Sequence, residues 1–120
     1  MTLNGTLYQI LQDEDAAITL QLCDSHPVYE GHFPGMPITP GVLTLGMIRE
    51  CVELRTGRAL RFSSIKSCRL AAMVRPGDVL KLTMDITREG DSLKVKASLT
   101  GAENEEDLRL QLDADFFRHD

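Results

Sequence analysis

The chain has 120 residues and a mass of 13.4 kDa, enough for one domain that buries its own core without disulfide or metal staples. A net charge of −5, no Trp and 5% aromatic residues argue against broad electrostatic binding to nucleic acid and against stacking platforms for single strands. No apolar run approaches the ~18–20 residues that span a bilayer. Met1-Thr2-Leu3-Asn4-Gly5 lacks the basic and apolar regions of a signal peptide, so the expectation is a cytoplasmic protein.

Charge is unevenly spread. Residues 1–48 carry five acids and no Lys or Arg, residues 49–81 carry eight bases and three acids, and residues 82–120 carry five bases and ten acids. The basic middle is either a docking surface for an acidic partner or a solvated face. Cys23, Cys51 and Cys68 form no CxxC pair and no disulfide framework. With His26, His32 and His119 they do not make a zinc-ligand spacing. Cys51, on an apolar helix, reads as a buried inert thiol.

In chain order, Leu3–Leu11 has moderate strand character, Asp13-Glu14-Asp15 is a turn, and residues 16–23 alternate as a half-buried strand. Residues 24–41 hold four of the five prolines and three glycines together with Val28, Tyr29, Phe33, Met36 and Ile38. This predicts a packed, rigid loop with neither helix nor strand. Thr39-Pro40 reads as an N-cap followed by a first-turn proline. A helix follows to about Arg55, apolar around most of its circumference and therefore central and buried, and Gly57 stops it. Strands are predicted over residues 62–73, 79–87, 93–99 and 108–116, with turns at 75–78 and 88–91, an acidic loop at 101–107 and a frayed end at 118–120. One buried helix among antiparallel strands makes the fold class α+β, a single domain over residues 1–120.

The stretch richest in chemistry is His26-Pro27-Val28-Tyr29-Glu30-Gly31-His32-Phe33-Pro34-Gly35-Met36-Pro37-Ile38-Thr39-Pro40-Gly41-Val42-Leu43. It places His32 on a proline-fixed loop ahead of a helix N-terminus. There His32 is either a general base or acid or a packed turn histidine. The free N–H groups of the first helical turn, with Gly41 allowing close approach, suit an oxyanion or a thioester carbonyl. His26 reads as a turn residue and His119 as tail.

The run from His32 to Leu43 resembles the signature of bacterial 3-hydroxyacyl-acyl-carrier-protein dehydratases of the FabA/FabZ type. The approach from His26 to Gly31, the turn Val74-Arg75-Pro76-Gly77-Asp78 and the order of elements agree with it. The resemblance implies a hotdog fold, a long central helix wrapped by a curved antiparallel sheet. It implies a homodimer, or an oligomer of dimers, with sites at the subunit interface. It also implies a tunnel for an acyl chain carried on the phosphopantetheine of acyl-carrier protein or coenzyme A, with no metal or other cofactor. His32 would be catalytic, the N–H groups of Gly41 and Val42 would hold the thioester oxygen, and Val28, Phe33, Met36 and Gly46 would line the substrate site.

One departure stands out. Family members pair the histidine with a helix carboxylate from the other subunit, and the corresponding position here is Gly46. Hydroxide is a poor leaving group, so dehydration needs an acid. Glu50, one turn further along the same face, is one candidate. A carboxylate from a different partner subunit is another. The first expectation is thus a 3-hydroxyacyl-carrier-protein dehydratase-like enzyme of fatty-acid or polyene-type lipid biosynthesis. The second is a non-catalytic subunit that binds acyl-carrier protein or completes a heterodimer, and the third is a hotdog thioesterase.

Overall fold

A computed structural model describes residues 2–31 and 38–119. His32, Phe33 and Met36, three of the expected site residues, lie outside the described residues. Six strands form one antiparallel sheet in the order β1-β2-β4-β5-β6-β3. They are β1 (Tyr8–Asp13), β2 (Ala17–Leu22), β3 (Leu60–Leu70), β4 (Val79–Glu89), β5 (Ser92–Gly101) and β6 (Asn104–Arg118). A short helix α1 (Val28–Gly31) and a long helix α2 (Gly41–Thr56) lie between β2 and β3. This is the α+β, helix-on-curved-sheet architecture expected for a hotdog domain.

The period-two residues of the strands supply the core. Ile18, Leu20 and Leu22 of β2, Leu80 and Leu82 of β4, Val95 and Leu99 of β5, and Leu110, Ala114 and Phe116 of β6 are buried on one face, as alternation demands. Helix α2 lays Thr44, Met47, Ile48, Cys51 and Val52 on that face, an i, i+3, i+4, i+7, i+8 stripe. Its C-terminus is capped by Gly57 at φ 70°, whose N–H donates to Glu53 O, a left-handed turn that glycine enters without steric cost.

Several expectations need correction. Residues 3–7 form a turn rather than the start of a strand, with Leu7 N donating to Leu3 O at 2.8 Å. Residues 28–31 make one helical turn inside the proline-rich stretch. His26 Nδ1 accepts the Val28 N–H at 3.0 Å, satisfying a first-turn donor that has no intrahelical acceptor. The N-cap of α2 is Pro40, with no side-chain cap bond, because Thr39 spends its groups elsewhere. The acidic loop shrinks to a turn at residues 102–103, since Asn104, Glu105 and Glu106 extend β6 and Lys81 pairs with Glu105 at 3.0 Å. The end is not frayed through residue 119. Arg118 pairs with Leu60, and His119 N donates to Ala59 O at 2.8 Å.

Helix α2 is also less enclosed than its composition predicts. Val42 is 75% exposed and Leu54 50%, so the sheet covers one face of the helix and leaves apolar residues outside it. Strand β3 is the second edge of the sheet, eleven residues long, with Ile65 and Leu70 exposed.

Candidate functional site

The site begins at the N-terminus of α2. Leu43 N and Thr44 N both donate to Pro40 O, at 3.0 and 3.1 Å, which closes the first helical turn. Helix geometry leaves the N–H groups of Gly41 and Val42 without intrahelical acceptors, at the positive end of a sixteen-residue helix. Among the described residues, a Cβ on Gly41 would meet only Leu70 Cδ1, at 3.5 Å. Ordinary packing would therefore tolerate a side chain here, and glycine's benefit is the open approach it gives to the backbone.

Beside this turn lies a groove of about 360 Å³, lined among others by Gly41, Thr44, Leu70, Ala71, Met73 and Val74. Its wall is the connection between β3 and β4, which is strongly fastened. Thr39 N donates to Val74 O at 2.6 Å, and Ala71 N donates to Arg109 O at 2.9 Å. The Arg109 guanidinium donates to Met73 O at 2.9 Å and to Asp78, and grips Asp107 through two bonds at 3.0 and 2.9 Å. Hydrogen bonding to Arg109 holds the Asp107 carboxyl below its ordinary 3.8. No ionisable side chain lines the groove among the described residues.

Val28 is partly buried against the core. Gly46 lies under the N-terminal turn, and a Cβ there would come within 3.0 Å of Leu3 Cδ1, so Leu3 takes the space that a side chain at residue 46 would need. Glu50 is on the same helix face and is fully engaged. Its carboxylate accepts Leu3 N at 2.7 Å, Asn4 N at 2.9 Å and the Tyr8 hydroxyl at 3.0 Å. Burial, chiefly, pushes the Tyr8 phenol well above its ordinary value, keeping it a donor to Glu50. Burial likewise raises the Cys51 thiol to about 12, the inert thiol expected from the sequence.

The arrangement offers two N–H donors with no acceptor among the described residues, beside an apolar groove, in a chain whose sequence places His32 nine residues before Gly41. The seat of Leu3 on Gly46, the Arg109 cluster and a 2.7 Å bond between the Tyr29 and Thr39 hydroxyls escaped the sequence reading. Gly46, a glycine inside a helix, was the one available signal for the first; the others join residues far apart in the chain or across a loop.

The ApeI-like family, described as ApeI dehydratase, matches residues 9–112. Curated relatives include the 3-hydroxyacyl-[acyl-carrier-protein] dehydratase FabZ of Bacillus pumilus (strain SAFR-032), 39% identical over 80 residues that cover 60% of this chain and 56% of that protein. Another is the FabZ of Latilactobacillus sakei subsp. sakei (strain 23K), 32% identical over 92 residues, covering 71% and 66% respectively. The chain spans about half the length of the first such relatives, 48% in the case of Caulobacter sp. (strain K31). Among solved structures, the dehydratase heterocomplex ApeI:P from Xenorhabdus doucetiae aligns over 92% of this chain and 95% of that one, with a TM-score of 0.66 and 20% identity. The E. coli PaaI protein aligns over 98% and 83%, with a TM-score of 0.68 and 9% identity. These likenesses carry the hotdog fold, and the match over residues 9–112 establishes that the chain belongs to the ApeI-like dehydratase family.

Proposed function

We propose that the protein acts on acyl thioesters as a cytoplasmic 3-hydroxyacyl-carrier-protein dehydratase-like chain, using no cofactor beyond the substrate's own phosphopantetheine. The observation that carries this reading is the pair of N–H groups at Gly41 and Val42, without an acceptor among the described residues, beside an apolar groove and nine and ten residues after His32 in a family-matching stretch. The acyl chain lies in the groove and the thioester oxygen accepts from the helix turn. His32 removes a proton from C2, the electron pair forms the C2–C3 double bond, and hydroxide leaves C3 with a proton as water.

The acid is the open position. Both oxygens of Glu50 already accept bonds from the N-terminal turn, and Leu3 covers Gly46. These observations favour a second reading for the proton donor, a partner hotdog subunit with a carboxylate on its own helix. The long β3 edge with Ile65 and Leu70 exposed, next to the groove, suits sheet-to-sheet pairing with a second chain, since such edges are otherwise an aggregation hazard.

The test follows interconversion of 3-hydroxyacyl and trans-2-enoyl carrier-protein thioesters by mass spectrometry. It uses the protein alone, its His32→Ala variant, and the protein mixed with a hotdog subunit bearing a helix carboxylate. Turnover by the protein alone, abolished in His32→Ala, supports an active homodimer. Turnover only in the mixture supports the heterodimer. Free thiol release without dehydration, or no turnover in any arm, overturns the proposal.

A further inference from the structure

We infer that Arg109 is a positioning residue that sets the wall of the apolar groove and, through it, the shape of acyl group the groove accepts. The consequence for acyl groups rests on the functional reading above; the placement of the wall does not.

Residues 71–78 join β3 to β4, and β5 and β6 stand between those two strands in the sheet. The connection therefore crosses the end of the sheet outside its ladders, and its backbone polar groups need partners from elsewhere. Arg109 of β6 supplies several of them. Its carbonyl accepts the N–H groups of Ala71 at 2.9 Å and Ala72 at 3.3 Å. Its guanidinium donates to Met73 O at 2.9 Å and to the Asp78 carboxylate. The same carboxylate oxygen accepts the Arg75 N–H at 2.9 Å. Asp78 is in turn tied to the core, because its carbonyl accepts Leu22 N and Gly77 N donates to Leu22 O, both at 2.9 Å. The groove-lining residues Ala71 to Val74 thus hang between β6 and a turn fixed to β2, and Arg109 bridges the two.

The guanidinium is itself aimed by Asp107, through bonds at 3.0 and 2.9 Å. Room for that carboxylate exists because residue 101 is glycine. A Cβ on Gly101 would come within 2.7 Å of Asp107 Oδ2 and 3.3 Å of its Cβ and Cγ. The Arg109 side chain is 16% exposed and lines an adjoining pocket of about 360 Å³ with Arg75, Asp78 and Asp107. Ala72 and Met73 line both that pocket and the groove, whereas Arg109 is not among the described residues of the groove lining. It therefore acts on the groove through the backbone it holds. A wall held rigid distinguishes a straight acyl chain from a branched one, because a preorganised apolar surface does not yield to an extra methyl group. Lysine has a single head and cannot replace the planar fork that reaches Met73 O, Asp78 and Asp107 together.

Arg55 is a matched control. It clamps the turn between β1 and β2 in the same manner, donating to Asp15 O at 2.6 Å, Glu14 O at 2.7 Å and Asp13 at 2.9 Å, and it lines neither the groove nor the adjoining pocket.

The test compares Arg109→Met, Arg109→Lys, Gly101→Ala and Arg55→Met in the full chain. It reads amide hydrogen exchange in peptides covering residues 70–78, the thermal midpoint, and the Kd of two saturated pantetheine thioesters, straight-chain octanoyl and a methyl-branched isomer. Exchange in 70–78 is expected to rise about tenfold in both Arg109 variants, the scale of one lost net hydrogen bond. The parent separates the two thioesters by about tenfold, and the Arg109 variants by about twofold. Gly101→Ala, which removes no hydrogen-bonding group, moves both readouts in the same direction. Arg55→Met lowers the midpoint and leaves both readouts at the parent's values. Unchanged exchange or unchanged selectivity in the Arg109 variants would overturn the positioning role. So would an equal change in Arg55→Met, which would reduce the effect to general stability. If Arg109→Met fails to fold, Arg109→Lys and Gly101→Ala carry the same comparison. A parent that binds neither thioester counts against the acyl reading of the groove, while exchange, read without ligand, still decides whether Arg109 holds the wall.

Discussion

Glu50 shows how one residue can be well identified by position and misjudged by role. The helical period places it on the Gly46 face, as expected, but the groups it meets come from residues 3–8, which no local pattern reveals. A carboxylate accepting two backbone N–H groups and a phenol is holding the turn at residues 3–8 in place. Each such charged bond contributes about 1.5–3 kcal/mol where buried, less where water competes. Glu50→Ala is expected to cost about 2 kcal/mol and to lower the thermal midpoint by about 8 °C for a domain of this size. Tyr8→Phe, which removes one of the three donors, costs about half as much. Calorimetry of both variants checks this, and the comparison with turnover at 25 °C separates a clasp from an acid. A clasp variant loses stability and keeps its rate while folded; an acid variant such as Glu50→Gln loses rate first.

At the scale of elements, five of the six strands and the long helix were legible from the sequence pattern, because alternation at two and recurrence at three and four are direct consequences of backbone geometry; β1 (Tyr8–Asp13) was legible only as moderate strand character over residues 3–11, with Asp13 read as turn. What was not legible was where hydrogen bonds override local signals. Thr39 looks like an N-cap until Tyr29 and Val74 claim its two polar groups. Residues 101–107 look like a loop, yet Asn104 onward joins β6, with Asn104 paired to Gly101 of β5 and Glu105 to Lys81. The helix was read as buried on all sides because its early turns are apolar, yet one chain supplies only one covering sheet. The β3–β4 connection is the element whose behaviour the structure now defines. Arg109 binds it from β6 and is itself held by Asp107, whose pKa is lowered below 3.8 in the folded protein, first by the hydrogen bond to Arg109. A carboxyl depressed on folding stabilises the native state fully above its unfolded value and loses that contribution as pH falls through the folded one. Stability should therefore decline below pH 3.8 partly through this pair. Asp107→Asn should flatten that part of the acid limb while lowering the midpoint slightly at neutral pH. Thermal melts at a series of pH values between about 2 and 6 read the difference; superimposable curves for parent and variant would remove Asp107 from the acid response.

At the scale of the molecule, the charge asymmetry visible along the chain is partly dissolved by folding. The basic middle segment meets acids from elsewhere: Arg55 binds Asp13 at 2.9 Å, Lys66 approaches Asp115 at 3.7 Å and Lys81 binds Glu105, while Arg49 pairs within its own helix with Glu53. Arg69 and Arg75 are different. Both are exposed, neither has an ion-pair partner among the described residues, and they flank Leu70 and Val74, two of the groove-lining residues. Exposed cations next in the chain to groove-lining residues suit a substrate whose reactive end is apolar and whose carrier is acidic, as proposed above for a carrier-protein thioester. Such charges act mainly on encounter, raising capture by roughly ten- to a thousandfold at low ionic strength and fading with salt. The double variant Arg69→Glu/Arg75→Glu should raise KM for carrier-protein thioesters about tenfold at low salt and leave KM for the same acyl group on a free pantetheine thioester within about twofold. Adding salt to about 1 M, where the screening length is ~3 Å, should close most of the gap between parent and variant. An equal effect on both substrates would place these arginines in the groove's own chemistry, and no effect on either would assign the carrier's docking surface to another part of the fold.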